Sequence, residues 1–137
     1  MAFVQSTIKN TRSLSMQNKA AGTATTSGLL YDLTAGALVA ATSGSTRDTI
    51  AGVMNQTVTV AEALTQALVI DLSRDDIWLV DSTNASNVAH NGQAMVLSSA
   101  GVVNNTGTTS ATGVVEQVGT FGATSDNKIL VRFITIA

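Results

Sequence analysis

Side chains that could act as a nucleophile, a base or a metal ligand are few in this sequence. His90 is the single histidine, so a cluster of histidine metal ligands is excluded and a Ser-His-acid triad has one base available. Ser86 and the pair Ser98-Ser99 lie near it in sequence, but the Gly-x-Ser-x-Gly elbow of many serine hydrolases is missing. Asn91-Gly92, directly after the histidine, is better explained as a turn. We therefore expect that His90 is not catalytic.

The acidic residues Asp75, Asp76 and Asp81 could suggest a calcium site or a glycosidase pair. The spacing Asp-x-Asp-x-Asp-Gly is missing, however, and positions 75–76 lie where a turn needs polar residues. The polar segment 42–46 has no lysine for a phosphate loop, and the chain has no cysteine for a thiolate site. We expect no enzyme activity, no metal and no cofactor. A small hydrolase stays as an alternative, which a comparison of His90→Ala with the wild type would test.

The amino-acid composition of the chain limits the classes of molecule that it could bind. The 137 residues fit one domain, and a net charge of −2 with 12% charged residues argues against binding nucleic acid. No apolar run approaches the ~20 residues of a membrane helix, and the start lacks a signal peptide, so we expect synthesis inside the cell without membrane insertion. A surface rich in Ser, Thr, Asn and Ala is typical of proteins that sit against other proteins in an assembly, although a monomer can have the same composition.

The positive charge is concentrated at the N-terminus. Residues 1–20 contain Lys9, Arg12 and Lys19 and no acid, whereas the rest of the chain has nine acidic and four basic residues. Two interpretations are open: a solvated terminus, or a basic arm that lies on an acidic neighbour. We interpret residues 1–27 as an extended arm, because 20–27 contains nothing large to bury, and residues 28–137 as the folded domain.

The domain contains about ten short strands separated by turn signals, which predicts an all-β barrel or sandwich with at most one or two short helices. Segments 68–72 and 77–81 are predicted to form a hairpin, and so are 94–97 and 101–103. Thr59 and Glu62 have the spacing of a capping box before one or two helical turns. The strand at 128–136 places Ile129, Val131 and Phe133 on one face, and it must be paired or covered.

A weak internal repeat divides the domain into two β-units. The pattern Gly-Val-x-x-Gln-x-x-Thr starts at Gly52 and again at Gly113, and each copy follows a glycine-led apolar run, at 36–39 and 92–96. We interpret the two glycines as equivalent bends, and Gln56 and Gln117 as equivalent polar positions.

The order of these segments resembles a known family. A basic polar arm precedes Gly-Ala-Leu-Val at 36–39, a polar loop, Ile-Ala-Gly-Val at 50–53 and a hydrophobic hairpin. Gly-Gln-Ala-Met-Val at 92–96, Thr-Gly-Val-Val-Glu-Gln-Val at 112–118 and Ile-Leu-Val-Arg-Phe at 129–133 follow. The pattern over residues 28–137 is similar to the head decoration (cement) proteins of tailed bacteriophages, including the families related to the lambda type.

The resemblance implies a structural virion protein, made in the host cytoplasm. It would bind the major capsid protein on the outside of the expanded capsid, at capsomer junctions, often as a homotrimer, and resist internal DNA pressure. Residues 2–20 would then order on the capsid. The resemblance transfers no individual contact residue. From the residues themselves we expect the arm contacts to be Phe3, Val4, Lys9, Arg12 and Lys19, and the apolar strands with Trp78, Ile129, Val131 and Phe133 to cover their edges against sister subunits.

The alternative is another phage structural component, such as a tail or baseplate β-domain, or a fibre-head module that binds glycan. A glycan site favours exposed aromatic side chains, and this chain has few aromatics. We expect no small-molecule substrate.

Overall fold

The computed structural model describes residues 3–7, 14–73, 76–106, 111–122 and 126–134. These ranges contain twelve strands, one 3₁₀ turn at Val88–His90 and no α-helix. The strands are β1 (Val4–Thr7), β2 (Leu14–Asn18), β3 (Leu30–Thr34), β4 (Ala37–Ala40), β5 (Ile50–Met54), β6 (Gln66–Ile70), β7 (Ile77–Ser82), β8 (Ala94–Met95), β9 (Leu97–Ser99), β10 (Val102–Val103), β11 (Val115–Thr120) and β12 (Lys128–Phe133). The prediction of an all-β protein is confirmed.

The strands form two sheets. The larger follows the order β8-β11-β12-β7-β10-β9, and β1 pairs with β7 on the side opposite β12. Its pairs are antiparallel except for β7 with β10. The smaller follows the order β2-β6-β5-β3-β4, all antiparallel, and its two edge strands β2 and β4 approach each other. The smaller sheet is therefore a nearly closed barrel, which confirms the predicted barrel or sandwich class.

The main core lies between the two sheets, and a second cluster lies inside the barrel. The second cluster consists of Tyr31, Leu38, Met54, Ala67 and Val69. Successive residues of a strand point to opposite faces, so Val53 joins the main core while Met54 joins the barrel interior. In the same way, Ile70 joins the main core and Val69 joins the barrel interior. Strands β5 and β6 are apolar on both faces because each face meets a core.

Strand β12 confirms the prediction made from its alternation. Ile129, Val131 and Phe133 are buried, while Lys128 and Arg132 lie on the opposite face. The strand is covered because it pairs with β7 on one side and β11 on the other.

Of the two predicted hairpins, one is confirmed in part and one is wrong. Strand β9 pairs with β10, but only Leu97 of the predicted strand 94–97 takes part, because 94–95 forms β8 and pairs with β11. Strands β6 and β7 both exist, but they belong to different sheets. The connection after β6 therefore crosses between sheets. A short polar segment marks a change of direction, and it does not specify which strand becomes the partner.

The predicted helical turns after Thr59 are also wrong. The contacts are only half of a capping box: Thr59 N donates to Glu62 Oε1 (3.2 Å), but Glu62 N donates to the backbone oxygen of Thr59 (3.2 Å) and not to its hydroxyl. They close a single turn, because the chain enters β6 at Gln66 and leaves too few residues for a helix.

The two glycines of the repeat are needed for the same physical reason, a close approach of another backbone, but they lie at different positions in the fold. A Cβ on Gly52 would collide with the Ile70 carbonyl oxygen of β6, and one on Gly113 would lie 2.8 Å from Met95 N of β8. The strands that follow Gly36 and Gly92 pair differently: β4 pairs with β3, whereas β8 pairs with β11, the strand that follows Gly113. The interpretation of two equivalent units is therefore corrected, and the shared pattern reflects two separate close approaches of backbones.

Candidate functional site

The described part of the N-terminal region belongs to the folded body. Backbone pairing places β1 on β7 and β2 on β6. Phe3 is 4% exposed, and its ring centroid lies 5.1 Å from that of Phe133 and 6.3 Å from that of Trp78. The prediction that Phe3 is an arm contact is therefore corrected, since its side chain belongs to the main core. Val4, by contrast, is 43% exposed.

The prediction that Lys19 is a charged contact at the surface of the arm is also corrected. It is 4% exposed, and its Nζ donates to the carbonyl oxygens of Leu64 (2.7 Å) and Ala20 (3.0 Å). These two carbonyl oxygens replace the water that the ammonium group loses on burial, so its charge is satisfied by hydrogen bonds within the chain. The other two predicted cations, Lys9 and Arg12, lie outside the described residues.

The residues predicted to form the subunit interface are core residues. Trp78 is 2% exposed, and Ile129, Val131 and Phe133 are fully buried between the sheets. Their strands were correctly predicted, but their apolar faces meet the barrel of the same chain. Interfaces with other molecules must therefore use different side chains.

The candidate catalytic histidine lies in the 3₁₀ turn. His90 Nδ1 is buried and has no hydrogen-bond partner, whereas the Nδ1 of a triad histidine is held by a carboxylate. The nearby Ser86 Oγ accepts a hydrogen bond from Phe121 N (3.4 Å). This geometry does not orient the imidazole as a general base.

The structure places two of the acidic residues, Asp76 and Asp81, in contacts within the chain. Asp81 pairs with Lys128, and Asp76 is buried with its backbone N–H donating to Ser73 O (3.4 Å). Asp75 lies outside the described residues. Partial burial alone would raise the pKa of the Asp81 carboxyl, but the hydrogen bond and charge of Lys128 help to lower that pKa below its ordinary value. Over the residues that the structure describes, no three His, Cys, Asp or Glu side chains could hold a metal ion.

Two open clefts lie at the ends of the larger sheet. One, of about 400 Å³, is lined partly by Arg47, Leu72 and Phe133, and Arg47 Nε donates across it to Gly113 O (3.0 Å). The other, of about 580 Å³, lies between the loop at 85–88 and the end of β11. Val88 and Phe121 are exposed at this second end.

Exposed apolar side chains collect on the outside of the barrel where it closes. Leu14 and Met16 of β2 and Val39 of β4 are each about half exposed, at 48, 53 and 50%. Alternation points them outward, because Leu38 next to Val39 is buried inside the barrel. We call these three residues the closure patch. The sequence pattern does not predict this patch, since Leu14 and Met16 lie in the segment interpreted as an arm.

A second apolar row crosses the outer face of the larger sheet. Val4, Leu79 and Leu130 are register neighbours on β1, β7 and β12. Along β12, cross-strand ion pairs lie on either side of Leu130: Lys128 with Asp81, and Arg132 Nε with Glu116 Oε2 (2.9 Å). We call these three apolar residues the outer row. Of the predicted arm contacts that lie in the described ranges, Val4 is the one on this surface.

Comparison with protein-family models, with curated proteins and with solved structures finds no match to this chain. Among the described residues, no helix is both long enough and apolar enough to cross a membrane.

Proposed function

We propose that this chain is a structural protein of a tailed-bacteriophage virion. It binds the major capsid protein on the outside of the expanded capsid and stabilises the shell against internal DNA pressure, as a homotrimer at capsomer junctions. It is made in the host cytoplasm and acts without enzyme activity, nucleic acid, membrane or small-molecule substrate. The resemblance of its strand order and glycine positions to decoration proteins first suggested this role.

The closure patch is the observation that supports binding to the capsid. Leu14 and Met16 lie within residues 2–20, the region that the resemblance assigns to the capsid, and both are about half exposed. The cation Lys19 and the aromatic Phe3 are occupied in internal contacts, so the apolar face of β2 replaces them as the surface offered to a partner.

The energy available from this patch suits a protein present in many copies. Burying the exposed half of one such side chain contributes about 1 kcal/mol. Three side chains alone give weak binding, but a trimer presents three patches at once, and linked contacts raise the effective concentration of the second and third. Moderate affinity per copy is sufficient when every copy stabilises its own junction.

The outer row is the surface that we assign to contacts between subunits. Val4, Leu79 and Leu130 form an apolar row framed by ion pairs that are already satisfied within the chain. A neighbouring copy can cover such a row without leaving a charge unpaired. Light scattering that finds only monomer at micromolar concentration would contradict the trimer and leave the capsid proposal in place.

The glycan-binding alternative finds less support. Trp78, Tyr31, Phe3 and Phe133 are buried, which leaves Phe121 as the exposed aromatic side chain of the five in the chain. Glycan sites commonly stack sugar rings on exposed aromatic faces. A glycan array with the purified protein tests this alternative, and specific binding there would favour it over the capsid proposal.

The capsid proposal is tested by co-sedimentation with expanded and unexpanded capsids of the phage that encodes the chain. Deleting residues 2–20 is unsuitable, because it removes β1, β2 and the core residue Phe3. The double variant Leu14→Ser with Met16→Ser leaves the core intact and should weaken binding to expanded capsids about tenfold or more. Val60→Ser, at an exposed loop residue, is the matched control and should bind like the wild type. Equal binding to both capsid forms, or none to either, would contradict the proposal.

A further inference from the structure

The dipeptide Asn91-Gly92 occurs once in the sequence, and it is the sequence most prone to deamidation. In this reaction the Gly92 backbone nitrogen attacks Asn91 Cγ. A C–N bond closes a five-membered succinimide ring while the bond from Cγ to the side-chain nitrogen breaks and ammonia leaves. Water then opens the ring to aspartate or isoaspartate. Glycine makes the attack easy because no side chain shields its nitrogen.

One buried residue holds both reacting groups. The Gly92 N–H donates to the Gln117 backbone oxygen at 2.8 Å. The Gln117 side-chain Nε2 donates to Asn91 Oδ1 at 2.9 Å and to Asn87 O at 2.8 Å. Gln117 itself has no exposed surface. The nucleophilic nitrogen and the side chain that it would attack are thus tied to the same residue of β11.

The backbone geometry also opposes ring closure. The ring requires Asn91 Cβ and the Gly92 nitrogen to eclipse each other about the Cα–C bond. Asn91 instead has an extended ψ of 133°, which turns that nitrogen away from the side chain. Its own N–H donates to Val88 O (3.1 Å), and Gly92 has a φ of +87°, so the turn is fixed on both sides.

We infer that Asn91-Gly92 is a latent deamidation site that Gln117 keeps closed in the folded chain. A hydrogen bond to Oδ1 alone would make Cγ more electrophilic, so the protection comes from the fixed side-chain position, the occupied Gly92 N–H and the extended ψ. The reaction proceeds when β11 separates from this turn. Either product then adds a negative charge beside β8, and isoaspartate also adds one carbon to the backbone.

The first experiment compares the intact protein with the same protein in urea, at 37 °C and mildly alkaline pH. Peptide mass spectrometry measures the mass gain at Asn91, and isoaspartate methyltransferase labelling measures the isomer. We expect deamidation at least about tenfold slower in the folded protein, because it must wait for local opening. Equal rates in the folded and unfolded protein would overturn the inference.

The role of Gln117 is tested with Gln117→Leu, which removes the side-chain donor and keeps the backbone acceptor. Deamidation at Asn91 should rise several-fold while circular dichroism stays that of the folded protein. Gln56→Leu is the matched control, because Gln56 Oε1 accepts from Leu68 N (2.7 Å) in the other sheet. It should leave the Asn91 rate unchanged, and an unchanged rate in folded Gln117→Leu would overturn the role of the side chain.

Hydrogen exchange gives a readout that does not depend on whether Gln117→Leu folds. The Gly92 amide of the wild-type protein should exchange slowly, together with the β11 amides. A Gly92 amide that exchanges at the rate of an unstructured peptide would contradict the closed site, whatever the variant does.

Discussion

Lys19 Nζ donates a hydrogen bond of 2.7 Å to the carbonyl oxygen of Leu64, and this contact ties the end of β2 to the loop before β6. The Lys19 backbone N–H reinforces it by donating to Thr65 O (2.8 Å). A charged side chain at 4% exposure is thus part of the fold and not of a mobile arm.

Lys19→Met should therefore destabilise the protein. It keeps most of the side-chain volume but removes the charge-assisted donor and leaves the Leu64 carbonyl oxygen without it. We expect the free energy of unfolding to fall by about 1.5–3 kcal/mol, measured by urea denaturation. Asn18→Ala, at the exposed neighbouring residue, should cost much less. Equal stability of Lys19→Met and wild type would contradict the internal role of Lys19.

The variant Phe3→Ala tests whether Phe3 is a core residue or an arm residue. Because Phe3 packs against Trp78 and Phe133, its truncation should lower the free energy of unfolding by about 3–5 kcal/mol. Val4→Ala, one position further along at a side chain that is 43% exposed, is the matched control and should cost less than about 1 kcal/mol. Similar small losses for both variants would mean that β1 is not anchored in solution.

Gly52→Ala tests the close approach of β5 and β6. The added methyl group meets the Ile70 carbonyl oxygen, which cannot move without breaking the sheet, so we expect a loss of about 1–3 kcal/mol or more. At Gly44, a Cβ would have ordinary contact with Thr42 Oγ1 at 3.7 Å. Gly44→Ala should therefore be nearly neutral, and thermal denaturation of both variants compares the two sites.

The pair of Asp81 and Lys128 gives a pH dependence with a definite sign. The pKa of Asp81 is lowered in the folded protein from its ordinary value of 3.8, so the folded state favours the ionised carboxylate. Its contribution to stability is present above pH 3.8 and is lost as the pH falls through the lower folded pKa. Because both side chains are partly exposed, we expect less than about 1 kcal/mol. The stability difference between wild type and Asp81→Asn, from urea denaturation at pH 7 and at successively lower pH, should shrink on acidification; a constant difference would contradict it.

What the sequence could predict was local. The alternation of Ile129, Val131 and Phe133 is a property of six consecutive residues, so the strand and its buried face were predicted correctly. What covers that buried face could not be predicted. It is the barrel, whose position in the fold is set by pairing between strands that are distant in sequence. The same apolar face would cover a sister subunit or its own core equally well.

Pairing between strands that are distant in sequence could not be predicted. The β6–β7 hairpin was wrong because apolar strands on either side of a polar turn carry no information about competing partners. Residues 1–27 were interpreted as an arm because their small polar residues have little to bury. Yet β2 supplies hydrogen bonds to β6 from Leu14 to Asn18, and that contribution does not depend on side-chain size. The exposed closure patch followed from this pairing and so was missed as well.

The contact between Phe3 and Phe133 joins residues that are nearly a whole chain apart. During synthesis, the first strand leaves the ribosome long before its partner β7 and before the ring that completes its packing. The nascent chain must therefore keep Phe3 uncommitted until β12 has emerged. The main core of this domain consequently forms only after β12 has been synthesised, and its rate is set by loop closure over long distances.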